Sequence, residues 1–174
     1  MIKEYEFYHG AVFTRLMNSC SPELCITAYS GKNYNSYRLG AGNRSAGLYI
    51  KYSTKRLAPW SFTFTAENQY EILEMKLALD EVFLILVCGQ DGIVTLNYQE
   101  IKQILDDNYH PTEWVSVTRR KNQMYAVKGK DGALDFKVGD AEFSRKILDY
   151  LTKPPLATNE FQDDLCLHAL TKSA

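Results

Sequence analysis

The sequence predicts an α/β (α+β) fold, a central mixed sheet flanked by helices, and three observations carry that expectation. Residues 82–88, Val-Phe-Leu-Ile-Leu-Val-Cys, are apolar without interruption, which fits a strand covered on both faces. Residues 60–64, Trp-Ser-Phe-Thr-Phe, alternate aromatic and small polar side chains, the period of a half-buried strand. Tyr5, Tyr8, Val12, Phe13, Leu16 and Met17, and later Tyr70, Ile72, Leu73, Met75, Leu77 and Leu79, supply apolar helix faces. With 174 residues the chain has the length of one domain, or of one domain with a small appendage, and can bury a core without metals or disulfides. Aromatic content of 13% and a net charge of only -1 exclude a chain that is disordered throughout.

The elements follow in order. The first helix ends at Asn18-Ser19, before Ser21-Pro22. Residues 24–29, 34–39 and 47–53 read as short strands, separated by turns at Ser30-Gly31-Lys32-Asn33 and Gly40-Ala41-Gly42-Asn43. The alternating strand at 60–64 comes next, and Thr65 is placed to cap a helix with Asn68 and Gln69 in its first turns. Gln90-Asp91-Gly92 turns the buried strand into a hairpin with 93–96, and 99–107 reads as a helix. Strands are expected at 114–118 and 124–128, then a hairpin through Lys130-Asp131-Gly132 into 134–138, then a helix over 141–151. Three regions result: an α/β core at 1–110, a β-rich extension with a packing helix at 111–152, and a tail or short docking helix at 153–174, where Phe161, Leu165, Leu167 and Leu170 supply apolar positions.

Helix, β-meander, helix, buried strand is an order that resembles the core of the PD-(D/E)XK nuclease superfamily, over residues 4–107. The resemblance implies a restriction-endonuclease-like core with a β-hairpin extension. It also implies an acid near one strand and a (D/E)-x-K on the next, with Mg2+ on the carboxylates and a lysine acting on water. The matching positions here are Asn35 or Ser36, then Tyr49-Ile50-Lys51. The lysine is present and both carboxylates are missing. Members of the superfamily sometimes draw an acid from the first helix, where Glu4 and Glu6 stand. Glu6 and Lys51 are therefore the catalytic candidates, no residue is assigned as a metal ligand, and Mg2+ is expected only if the chain is an active nuclease with relocated acids.

The charge is segregated. Residues 24–66 contain no Asp or Glu and carry Lys32, Arg38, Arg44, Lys51, Lys55 and Arg56, interleaved with Tyr29, Tyr34, Tyr37, Tyr49, Tyr52 and Trp60. Residues 67–110 hold nine acids against two lysines. Basic side chains neutralise phosphates and aromatic faces stack on bases, so the acid-free stretch reads as a nucleic-acid surface. The same pattern also fits strand tyrosines packed in a core with lysines on the solvated face. Arg119-Arg120-Lys121 forms a second cluster at a hairpin tip. The candidate nucleic-acid contacts are Arg38, Arg44, Lys51, Lys55, Arg56, Arg119, Arg120 and Lys121, whereas Trp60 is expected in the core. The leading expectation is a nuclease-like protein that contacts nucleic acid without cleaving it. The alternatives are a protein-binding inhibitor or immunity-type module of a mobile element, and an active nuclease.

Cys20, Cys25, Cys88 and Cys166 lack the second pair that a zinc site needs and are read as free thiols. His9 is expected at a core edge, and His110 and His168 stand in no catalytic motif. Nucleophile-elbow, phosphate-loop and dinucleotide-binding patterns are absent. No apolar run reaches 18 residues and the N-terminus has no apolar core of a secretory signal, so a cytoplasmic protein without membrane partners is expected.

Overall fold

The computed structural model describes residues 1–19, 23–29 and 34–153. Cys20, the 30–33 turn, Cys166, His168 and the expected docking segment lie outside the described residues. The chain is an α/β fold with two sheets. α1 (Glu4–Ser19) is followed by a meander of β1 (Cys25–Ala28), β2 (Ser36–Ala41) and β3 (Arg44–Ser53). β4 (Trp60–Thr65) leads into α2 (Ala66–Ala78), and then come β5 (Glu81–Cys88), β6 (Gly92–Asn97) and α3 (Tyr98–Ile104). β7 (Thr112–Thr118), β8 (Ala126–Gly129) and α4 (Glu142–Thr152) complete the described chain.

The larger sheet has the order β1-β2-β3-β5-β6 and is antiparallel except where β3 runs parallel to β5. β5 is the buried strand of the apolar run: every residue from Val82 to Cys88 is inside. Its two faces feed two cores. Leu84 and Leu86 point to a core with Tyr49, Phe62, Phe64, Met75 and Val115, while Phe83, Ile85 and Val87 point to one with Val12, Leu16, Leu48, Ile50 and Ile147. α1 and α4 therefore cover one face, and α2, α3 and the second sheet cover the other.

β4 departs from the meander. It pairs antiparallel with β7, and β7 pairs with β8, giving the second sheet. The segment expected as an extension consequently shares both cores with residues 1–110: Val115, Val117, Tyr125 and Val127 lie in one, and Phe143, Ile147 and Leu151 of α4 in the other. The expected strand at 134–138 is not formed: it carries one isolated bridge, Tyr125 with Val138, and a second, Lys128 with Ala133, lies just before it. The chain is held elsewhere there: the Gly129 amide bonds the Gly132 carbonyl, the Asp131 amide bonds the Ile104 carbonyl and the Asp131 carboxylate accepts the Asp106 amide. That last bond also follows the extended Leu105 that stops α3 short of residue 107. α2 begins as expected, with a reciprocal capping box between Thr65 and Asn68.

Candidate nucleic-acid interface and buried lysine site

Alternation along β3 sends neighbouring residues to opposite faces of the sheet. Leu48 and Ile50 face α1, Tyr49 faces the second sheet, and Lys51 follows Tyr49. The Lys51 ammonium lies over the Phe64 ring, 5.1 Å from its centre. It donates to the Thr63 carbonyl at 2.9 Å and to Asn68 Oδ1 at 2.7 Å. Burial pushes its pKa down to about 8, opposed by the charge of Glu71. Ser36 stands opposite Tyr49 in the β2–β3 register, and its hydroxyl donates to Glu71 Oε1 at 2.8 Å. The Tyr49 hydroxyl is buried beside the same carboxylate, and desolvation together with that charge raises its pKa.

The structure thus gathers Ser36, Tyr49 and Lys51, the positions matched to the nuclease motif, around an acid that the strand-based reading missed. Glu71 is on α2, one helical turn before Met75 and two before Leu79. That spacing on the buried side was the available signal. Glu6, by contrast, is exposed on α1, where its carboxylate accepts the Lys3 amide. α1 covers the face of the sheet opposite Lys51, so Glu6 and Lys51 do not meet. The donors around Lys51 do not fit Mg2+. Glu71 is a single buried carboxylate, already accepting a hydroxyl proton and facing an ammonium, and no group of three His, Cys, Asp or Glu side chains converges among the described residues.

The basic candidates divide between the two ends of β3. Arg44, at its start, stacks on Tyr150 of α4 at 5.1 Å, and Arg38 is exposed in mid-β2, opposite Gly47. Lys55 and Arg56 follow the other end of β3, roughly 30 Å from Arg44 at about 3.3 Å per residue. The loop there is braced. The Trp60 indole donates to the Lys55 carbonyl at 2.8 Å, and the Lys55 amine donates to the Pro59 carbonyl at 3.1 Å. Gly89, at φ +59°, lies beneath it, and a Cβ on Gly89 would stand 2.3 Å from the Lys55 carbonyl oxygen. Trp60 itself is 2% exposed, packed edge-on to Tyr125.

The 119–123 turn faces this loop. Leu57, Ala58, Trp60, Asp91, Arg119, Lys121 and Asn122 line one cleft of about 380 Å³ between them. Arg119 is committed to the fold: Nε lies 2.6 Å from Asp91 Oδ2, its guanidinium covers the Tyr125 ring at 4.4 Å, and Tyr125 donates to the same carboxylate at 2.8 Å. Arg56, Arg120 and Lys121 are exposed and make no ion pair among the described residues. A second groove of about 420 Å³ on the far side of the turn adds Lys137 beside Arg120. A wider cavity, about 640 Å³, lies between α1 and the β5–β6 turn, and Arg15 in its lining is tied to Asp140 at 3.1 Å.

The remaining sequence candidates have structural places. His9 is 2% exposed, bonded through Nδ1 to the Tyr37 hydroxyl at 2.8 Å, and burial pushes its pKa down to about 4. Tyr8 stacks on Tyr52 of β3, and Tyr5 stacks on the exposed Tyr34 just before β2. Cys25 and Cys88 are free thiols, and burial raises the pKa of Cys88. No helix among the described residues is long and apolar enough to cross a membrane. No family model, curated protein or solved structure matches this chain.

Proposed function

We propose that this protein contacts nucleic acid through the cleft between residues 55–60 and 119–123, on a nuclease-like α/β scaffold that does not carry out metal-dependent cleavage of its own. The observation that carries this reading is the approach of the 55–60 loop and the 119–123 turn across one cleft, with Lys121 in its lining, Arg56 next to Leu57 and Arg120 on the adjoining groove, all three exposed and in no ion pair among the described residues. Unpaired cations on braced backbone release counterions from phosphates at little ordering cost. The absence of cleavage rests on the donors at Lys51, where one carboxylate stands in place of the two that the resemblance implies. The acidic surface expected of a protein-binding module is reduced, because Glu71 and Glu100 are buried and Asp91 is paired with Arg119.

Fluorescence anisotropy with labelled DNA and RNA tests the reading. Binding at about 50 mM salt, falling steeply as salt rises, is expected. No binding at that salt overturns it and favours the protein-binding module. Cleavage in Mn2+ that Glu71→Gln abolishes overturns the non-catalytic half and makes the chain an active nuclease with its acid on α2.

A further inference from the structure

The cleft is two-sided, and its chemistry is more specific than a basic patch. One wall is apolar: Leu57 and Ala58, above the buried Trp60. The other is polar: Asp91 paired with Arg119, then Lys121 and Asn122. Leu57 is 72% exposed at the tip of a loop whose two ends are closed by the Trp60–Lys55 and Lys55–Pro59 hydrogen bonds, so it is presented to solvent on a braced backbone and adds nothing to either core. A lone exposed leucine means little. This one is flanked by Lys55 and Arg56 and opens onto a cavity within the range of small-ligand sites. Asn122 is held at φ +61° in the facing turn, and its amide offers both a donor and an acceptor.

We infer that the cleft takes one unstacked nucleobase of a single strand, with Leu57 and Ala58 against its face, Asn122 at its edge, and Arg56, Arg120 and Lys121 on the flanking phosphates. This rests on the nucleic-acid reading above and deepens it. A duplex keeps its bases stacked, so it offers the same phosphates but nothing to the apolar wall. An apolar contact to a base face releases no counterions, so its removal lowers affinity without altering the salt dependence. The cations behave in the opposite way.

Anisotropy titrations of the full chain with one oligonucleotide, as single strand, as duplex and as an abasic strand of equal length, test this. The single strand is expected to bind about tenfold more tightly than either control, as one base contact supplies. Leu57→Ala is expected to weaken the single strand about fivefold, leave the abasic strand unchanged and preserve the salt slope. Leu57→Gln, which keeps the side-chain length, should match it, and both variants should melt as the parent does. Equal binding of all three probes, or single-strand binding indifferent to Leu57, overturns the inference while leaving the nucleic-acid reading in place. Failure of every probe to bind overturns both.

Discussion

Lys51 and Lys55 are four residues apart in one acid-free stretch, and the fold treats them in opposite ways. Lys51 is drawn under β4, with its ammonium over Phe64, bonded to Thr63 and Asn68, and its pKa lowered by burial. Lys55 leaves the sheet and stays exposed, its amine bonded to the Pro59 carbonyl of its own loop. The same division separates Arg119, locked to Asp91 and Tyr125, from its neighbours Arg120 and Lys121. A run of positive residues in a sequence is therefore not yet a positive surface. What counts is which of them the strand period and the covering elements leave outside.

The contrast breaks most severely at the strand beneath Lys51. Leu86 is its register partner on β5, and Leu84 lies two residues before it, both in the core below β4. Leu84→Ala or Leu86→Ala should cost about 2–5 kcal/mol through reduced burial and the cavity left behind. Equilibrium denaturation showing less than about 0.5 kcal/mol for both would remove β5 from the centre of the fold. A smaller effect is expected at the lysine itself. Lys51→Ala removes the hydrogen bonds to the Thr63 carbonyl and Asn68 Oδ1 and the cation facing the buried Glu71 carboxylate, and should cost on the order of 1–3 kcal/mol. Lys55→Ala should stay within about 0.5 kcal/mol of the parent.

The lysine also makes stability depend on pH. Its pKa is about 8 in the fold, against the ordinary lysine value of 10.5 in the unfolded chain. Between those values the unfolded chain binds more protons, so this group makes stability rise with pH from about 8 upward, by no more than roughly 1.4 kcal/mol per pH unit. Tyr49 and Tyr125, whose pKa values are raised in the fold, act in the opposite sense once unfolded tyrosines ionise near 10. Melts of the parent and Lys51→Met between pH 8 and about 10 should therefore diverge, with the parent gaining relative to the variant. Parallel curves would mean that Lys51 is solvated.

The smallest effects concern affinity rather than folding. Replacing Arg56, Arg120 and Lys121 with Ala should leave the melting temperature unchanged. It should also flatten the log K against log[salt] slope by about 0.7–0.9 for each phosphate no longer neutralised. Arg119→Ala should do the reverse, lowering stability more than it alters the slope.

Much of the fold was legible because its signals are local. The seven apolar residues of 82–88 permit only a strand covered on both faces, and the Thr65–Asn68 capping box could be placed before α2 was seen. The site was legible only in part. Lys51, Ser36 and Tyr49 stand at motif positions, but the resemblance directs attention to acids on strands, and Glu71 is on a helix. Glu6 belongs to a helix that the resemblance also names, yet that helix lies across the sheet from Lys51.

The sequence by itself determined most of the helices and strands and the apolar face of each, because periodicity and capping act within a few residues of the chain. Only the tertiary structure decided that β4 leaves the meander to pair with β7. That pairing half-buries Lys51, brings Val115, Val117, Tyr125 and Val127 into the core and carries the 119–123 turn to the 55–60 loop. Each of these depends on contacts between segments some fifty residues or more apart, whose free energy is gained only when both surfaces meet. No local pattern in either segment encodes that meeting.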